Sequence, residues 1–250
     1  MKHNIYLVGM GPGKEEMMTG EALKVLEAAD VIIGYTVYIK LLGERFADKE
    51  MRTTPMRQEE ERCKLCFEEA KKGKQVAMVC SGDAGIYGMA SLLYEMGKEY
   101  LDTEIFVIPG ITAACSGAAV LGAPLNHDFC VISLSDLLTP WEKIEKRLLA
   151  AAGGDFAIAI YNPSSHKRKD YLKRACDILL EILEEDRACG YVENIGREGT
   201  KAVTCTLREL RDTQVNMFTT VFIGNSDTEL IHGKLVTKRG YHIERNTDIK

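Results

Sequence analysis

Short apolar, β-branched runs recur along this chain with helix-like segments between them, and this cadence constrains the fold more than any other feature. Strand-like runs at 5–8, 31–33, 75–80 and 104–108 alternate with helical patterns at 20–29, 58–72 and 91–100. Thr19 stands where it can cap the first helix, and Gly73 stops the second. Strand and helix in this order predict an α/β fold with a mostly parallel sheet. The character changes at 111–121, a segment rich in small residues that ends at Gly122-Ala123-Pro124. A second series follows, with strands at 129–133, 156–161, 188–193, 201–206 and 219–223 and helices at 141–151, 168–183 and 207–212. A length of 250 residues accommodates two compact domains, predicted at 1–122 and 123–250. The tail, with Gly233-Lys234 and Arg239-Gly240, reads as a short hairpin or a loose end.

Composition removes several classes of function. The chain carries 32 Lys+Arg against 37 Asp+Glu, a formal net charge of −5 with no dense basic stretch, which argues against nucleic acid as a partner. The longest apolar runs fall far short of the roughly 20 residues that cross a bilayer, so no membrane partner is expected. Met1-Lys2-His3-Asn4 leads straight into a strand-like run, which predicts no signal peptide and a cytoplasmic protein. Of the eight cysteines, most lie in apolar strand-like or helix-like runs, where a free thiol behaves as a small hydrophobe. Cys63-x-x-Cys66 is the one close pair, and no second pair or nearby histidine completes a metal-ligand pattern. These two are read as thiols, and no metal site is predicted.

The chemistry-bearing residues sit in loops directly after strands. Gly9-Met10-Gly11-Pro12-Gly13 follows the first strand, but its spacing is G-x-G-x-G, and Pro12 removes an amide that a pyrophosphate would use. The second strand runs into Gly34-Tyr35 instead of the acid that holds a ribose, so a nicotinamide oxidoreductase fits poorly. Ser81-Gly82-Asp83-Ala84-Gly85-Ile86-Tyr87-Gly88 combines flexible backbone with one carboxylate. Asp83 suits a ribose or ammonium, and equally suits capping the next helix. Pro109-Gly110-Ile111-Thr112-Ala113 follows a third strand, with Thr112 placed to cap the helix after it. The second half repeats the pattern at Tyr161-Asn162-Pro163-Ser164-Ser165, at Asn194-Ile195-Gly196-Arg197-Glu198 and around Thr219. A non-enzymatic binding module would not explain loops of similar chemistry through both halves.

The order of these loops resembles the tetrapyrrole methylase family over essentially the whole chain. GMGPG, SGDAGIYG, PGITAACSGAAVLGAPLNHDF and the late VFIGNS strand carry the likeness. GYTVYI, PMRQEEERC, SGDAGIYGMA, IYNPSSHKR and ENIGREG resemble its precorrin-3B C(17)-methyltransferase (cobalt-precorrin-3 methyltransferase) branch, in cobalamin biosynthesis. The resemblance implies two α/β domains, a homodimer, and S-adenosylmethionine in a cleft between the domains, leaving as S-adenosylhomocysteine. Carried over by motif, the cofactor touches Gly11, Pro12, Gly82, Asp83, Ala84, Ile86, Thr112 and Ala113, with Tyr161, Gly190 and Thr219 from the second half. Ser81 and Ala84 stand where the wider family often has Gly and Pro.

The implied reaction methylates C(17) of a (cobalt-)precorrin-3 macrocycle and contracts the ring to (cobalt-)precorrin-4, with another precorrin or uroporphyrinogen methyltransferase as the alternative. Asp83, His127, Tyr161, Asn162 and Ser164, with Ser165 beside it, are the polar candidates for assisting contraction. His127 is equally a turn histidine after Asn126. The substrate carries many carboxylates whereas the chain is net acidic, so local cations must hold it: Arg57, Arg62, Lys167, Arg168 and Arg197. Whether the macrocycle already carries cobalt stays open.

Overall fold

In the computed structural model, which describes residues 3–241, the chain forms two compact α/β units. One takes the chain up to Ser116 together with Ile195–Glu198, and the other takes Gly117–Asn194 and the chain from Gly199 on. The division therefore falls before the Gly122 expected from composition, inside a helix, and the 195–198 turn belongs with the first unit.

The first unit runs β1 (His3–Gly9), α1 (Gly20–Ala28), β2 (Val31–Tyr35), α2 (Thr36–Ile39), β3 (Glu50–Thr54), α3 (Glu59–Lys71), β4 (Val76–Cys80), α4 (Ala90–Gly97), β5 (Thr103–Ile108) and the start of α5 (Ala113–Leu121). Its five strands pair in parallel, in the order β3-β2-β4-β1-β5. Alternate residues feed opposite faces. Ile5, Leu7, Ile33 and Met78 meet Cys63, Cys66 and Phe67 of α3 and Leu93 of α4, while Val8, Ile32 and Val79 meet Ala22 and Leu26 of α1. This two-sided cover explains why the strands read as continuous apolar runs. Thr19 caps α1, accepting from the Ala22 amide at 3.1 Å. Cys63 and Cys66 are free, buried thiols of the α3 core, and burial pushes Cys63 up to about 12.

At the amino edge of this sheet lies a buried carboxylate. Glu69 is fully buried and meets Lys72 at 2.6 Å, Lys74 at 2.8 Å and Arg52 at 3.5 Å. Hydrogen bonds from Lys72 and Lys74 lower its carboxyl from 4.5 to about 2. A depressed folded value means that the stabilisation is complete above the ordinary carboxylate range and is lost as pH falls through the folded value. Glu69→Gln is expected to melt below the wild type at neutral pH, with the gap closing between pH 4.5 and about 2. A gap independent of pH over that interval would remove the ion cluster from the account.

The second unit takes the rest of α5 and then β6 (Gly122–Ala123), β7 (Phe129–Ser133), α6 (Trp141–Gly153), β8 (Ala157–Tyr161), α7 (Tyr171–Leu179), β9 (Ala188–Glu193), β10 (Lys201–Thr206), α8 (Leu207–Arg211), β11 (Thr219–Ile223), β12 (Thr228–Ile231) and β13 (Lys234–Thr237). Its main sheet, β10-β9-β11-β8-β7, is mixed: β7 and β8 are parallel, and the other three pairings are antiparallel. The reason is connection length. Only a short turn separates β9 from β10, too little chain for the crossover that parallel strands need. Ile158, Ile160, Tyr191, Val221 and Ile223 pack under α6, α7 and α8. α7 starts later than the expected 168–183 helix because Arg168 closes a turn with Ser165, and it ends at Leu179. The tail forms the β12–β13 hairpin, with β13 pairing β6. No helix among the described residues is long and apolar enough to cross a membrane.

Candidate active site

In the first sheet, β1 leads through α1 towards β2 on one side, while β4 leads through α4 to β5 on the other, with the two helices on opposite faces. Adjacent β1 and β4 thus send their connections to opposite faces, and the carboxyl edge at such a switch point is where open α/β sheets bind ligands. Three predicted loops meet there. Gly11 and Gly82 form an antiparallel bridge, with Gly82 N donating to Gly11 O at 2.7 Å and Gly11 N to Gly82 O at 3.1 Å. Both have positive φ, +70° and +69°. A Cβ on Gly110 would lie 2.2 Å from Gly82 O and 2.6 Å from Gly9 C, so the β1, β4 and β5 loops touch through bare backbone. A Cβ on Gly82 would make ordinary van der Waals contact with Ala113 N and Thr112 Cα, both at 3.8 Å, so the start of α5 closes on the β4 loop through main chain as well.

Asp83 neither caps a helix nor presents a free carboxylate. Its Oδ1 accepts from Gly85 N at 2.8 Å and its Oδ2 from Gly110 N at 3.0 Å, tying the β4 loop to the β5 loop. The next helix, α4, begins at Ala90 without a side-chain cap. Ala84 is buried, whereas Ile86 and Tyr87 are exposed, and Tyr87 has φ +52°. Arg197, half-buried, reaches from the 195–198 turn to Pro12 O at 3.3 Å and Ser81 Oγ at 3.2 Å. Burial lowers its affinity for the proton, but as an arginine it stays charged. Its guanidinium therefore braces the β1 and β4 loops.

Two other predicted cations lie in this unit. Arg57, exposed, has φ +67° and donates its amide to Glu59 Oε1 at 3.2 Å. Arg62, in the first turn of α3, is 4% exposed. It donates from Nη2 to Pro55 O at 3.2 Å, and Nη1 lies 3.8 Å from Met89 Sδ. Sequence reasoning passed over two neighbours. Tyr38 is raised by burial, with the Arg197 and Arg62 charges pulling it back, and the Thr54 hydroxyl is buried without a partner. Tyr38 lies in the GYTVYI segment directly after a strand, which was the available signal.

In the second unit the turn after β8 gathers Tyr161, Asn162, Ser164 and Ser165. Asn162 has φ +53° and donates to Ser133 Oγ at 2.9 Å, and Ser164 is buried. Arg168 is already partnered: it donates to Ser135 Oγ at 2.8 Å, Ser165 Oγ at 3.0 Å and Asp136 Oδ1 at 3.2 Å. Tyr171 donates to the same Asp136 at 2.6 Å. Arg168 thus braces its own turn through Ser165 and through Ser135 and Asp136, which the sequence did not single out, while Lys167 is exposed. Gly190 packs on Leu121, and the Thr219 hydroxyl donates to Asn216 Oδ1 at 3.3 Å. His127 accepts the Asp128 amide at 2.9 Å through Nδ1, as a turn residue does.

Residues 4–211 match the model of the family described as Tetrapyrrole (Corrin/Porphyrin) Methylases. The chain is 45% identical to a protein of Salmonella typhimurium named "Probable cobalt-factor III C(17)-methyltransferase", over 94% of this chain and 98% of that one. It is 36% identical to a "Precorrin-3B C(17)-methyltransferase" of Sinorhizobium sp, over 92% of each. The crystal structure of the methyltransferase CobJ matches with a TM-score of 0.88 and 37% identity, over 94% of this chain and all of that one. A family match across most of the chain, on a sheet whose glycine loops meet at the switch point, makes this chain a member of the tetrapyrrole methylases.

Proposed function

We propose that this chain transfers a methyl group from S-adenosylmethionine to C(17) of a cobalt-bearing precorrin-3 macrocycle, with ring contraction, in cobalamin biosynthesis. The observation that carries the reading is the meeting of the β1, β4 and β5 loops through bare glycine backbone, in a chain 45% identical to a protein named for that methylation. The higher identity to the cobalt-factor III relative than to the precorrin-3B relative supports the cobalt-loaded form of the substrate.

S-adenosylmethionine, when bound, supplies an electrophilic methyl on a sulfonium that leaves as a neutral thioether, so no acid is needed at the leaving group. The chain's own contribution is position. Gly11, Pro12, Gly82, Ala84, Thr112 and Ala113 bring backbone to the loop junction, Gly11 and Gly82 through their carbonyls because the amide of each bonds the other, and the Asp83 and Arg197 bridges hold those loops in place. Alignment at near-attack distance is worth about 7–11 kcal/mol in favourable cases, enough to explain a site without a catalytic triad. Of the polar candidates for the contraction step, the Asp83 carboxylate and the His127 Nδ1 are bonded to backbone amides, and the Asn162 amide donates to Ser133.

The test is turnover of S-adenosylmethionine by purified protein. S-adenosylhomocysteine is expected to form only when the macrocycle is present, and faster with the cobalt-loaded than with the metal-free one. Binding of NAD with no binding of S-adenosylhomocysteine would overturn the assignment.

A further inference from the structure

Arg62 is the buried charge that the fold leaves uncompensated. Its side chain is 4% exposed, its Nε has no hydrogen-bond partner, and among the described residues no carboxylate pairs with it. The contacts it does make, a backbone carbonyl and a methionine sulfur, do not neutralise a guanidinium. Compare Glu69 on the same helix, equally buried and given two lysines and an arginine. Taking an ion out of water without a counter-ion is among the costliest things a fold can do. A second buried donor is the Thr54 hydroxyl, also without a partner, one residue before Pro55, whose carbonyl Arg62 holds. Arg62 Nε–H and Thr54 Oγ–H are thus two unused donors on one short stretch at the carboxyl edge of the first sheet. Between them in sequence runs the 55–58 loop, exposed, held by Arg62 at Pro55 O and carrying Arg57 at φ +67°, a conformation that costs a non-glycine residue energy.

We infer that Arg62 and Thr54 form a carboxylate-binding subsite, closed beneath the 55–58 loop in the free enzyme and filled by one carboxylate of the reacting molecules. An ionised carboxylate has the acceptors that these donors lack, and a charge-assisted bond from Arg Nε gives it direction as well as attraction. The inference rests on the proposed function for the two molecules that bring a carboxylate: the macrocycle, with its acetate and propionate arms, and the amino-acid end of S-adenosylmethionine. The macrocycle is the one the subsite is assigned to, because Arg62 lies beside β3 and α4, on the far side of β4 from the glycine bridge to β1.

Arg62→Met and Thr54→Val test this, with Arg62→Lys as the variant that keeps the charge. Melting temperature and the binding of S-adenosylhomocysteine and of the macrocycle are measured for each. Arg62→Met is expected to weaken macrocycle binding at least tenfold, leave S-adenosylhomocysteine binding within twofold, and not lower the melting temperature, since an unpaired buried charge has been removed. Thr54→Val should weaken the macrocycle several-fold at undiminished stability, and Arg62→Lys should recover part of the loss. Loss of S-adenosylhomocysteine binding alone would keep the carboxylate subsite but overturn its assignment to the macrocycle. Unchanged binding of both molecules in Arg62→Met and Thr54→Val would overturn the subsite, and a wild type that binds neither would instead bring down the functional reading on which it rests.

Discussion

Gly110→Ala is expected to be the most damaging single-methyl change in the chain. The added carbon would sit 2.2 Å from Gly82 O and 2.6 Å from Gly9 C, and both are backbone that cannot rotate away. Overpacking of this kind costs about 1–3 kcal/mol where side chains can yield, and the upper end or more where they cannot. At about 2–4 °C per kcal/mol for a chain of this size, the melting temperature should drop by roughly 6–12 °C. S-adenosylhomocysteine binding should fall at least tenfold, because the three loops can no longer meet. Gly153→Ala is the control. Its added carbon meets nothing within 4 Å, at the end of α6, so stability should hold or rise slightly. Equal melting temperatures for the two variants would show that the loop contact is looser than described.

Asp83→Ala should follow closely. It removes the acceptors of two backbone amides, Gly85 N at 2.8 Å and Gly110 N at 3.0 Å. Hydrogen bonds to a charged group contribute about 1.5–3 kcal/mol each, and part of the Gly110 loss is the orphaned amide itself. Because the Gly85 bond is exposed and worth less than the part-buried Gly110 bond, a total of about 2–4 kcal/mol is expected from calorimetric melting, with Asp83→Asn near half of it because one oxygen acceptor survives. Cofactor affinity should fall in step with stability. Affinity lost at full stability would instead give Asp83 a direct contact with the cofactor.

These expectations differ from what the amino-acid sequence alone suggests for Asp83, and the difference has a physical origin. Residue type and loop position identify a carboxylate near a ligand crevice. They do not reveal that a glycine amide from another loop, Gly110, approaches it across the sheet edge. Arg168 is a similar case: its motif marks it as a substrate cation, but Ser135 and Asp136, more than thirty residues earlier, hold it. Arg62 is the converse. Its motif marks it as a substrate cation too, but that it is buried with an unpartnered Nε shows only in the structure.

The fold itself was more legible where periodicity is strong. The apolar strands β1, β2, β4 and β5 and the capped α1 announce themselves in the sequence. β3, Glu50-Met51-Arg52-Thr53-Thr54, does not: an edge strand buries little and has no apolar run to show. α2 was hidden because Thr36-Val37-Tyr38-Ile39 is rich in β-branched and aromatic residues that favour strands. Strand direction in the second sheet depends on how long each connection is, which hydrophobic pattern alone does not encode.

The measurement that tests the central claim most directly is the position of the transferred carbon. Purified protein, S-adenosylmethionine labelled with carbon-13 in its methyl group, and the cobalt-loaded precorrin-3 macrocycle are combined, and the product is read by carbon NMR. The account predicts a single enriched methyl bonded to C(17) of a contracted ring, with one S-adenosylhomocysteine released for each product. Label at any other ring position, or release of S-adenosylhomocysteine without label on the macrocycle, would contradict it.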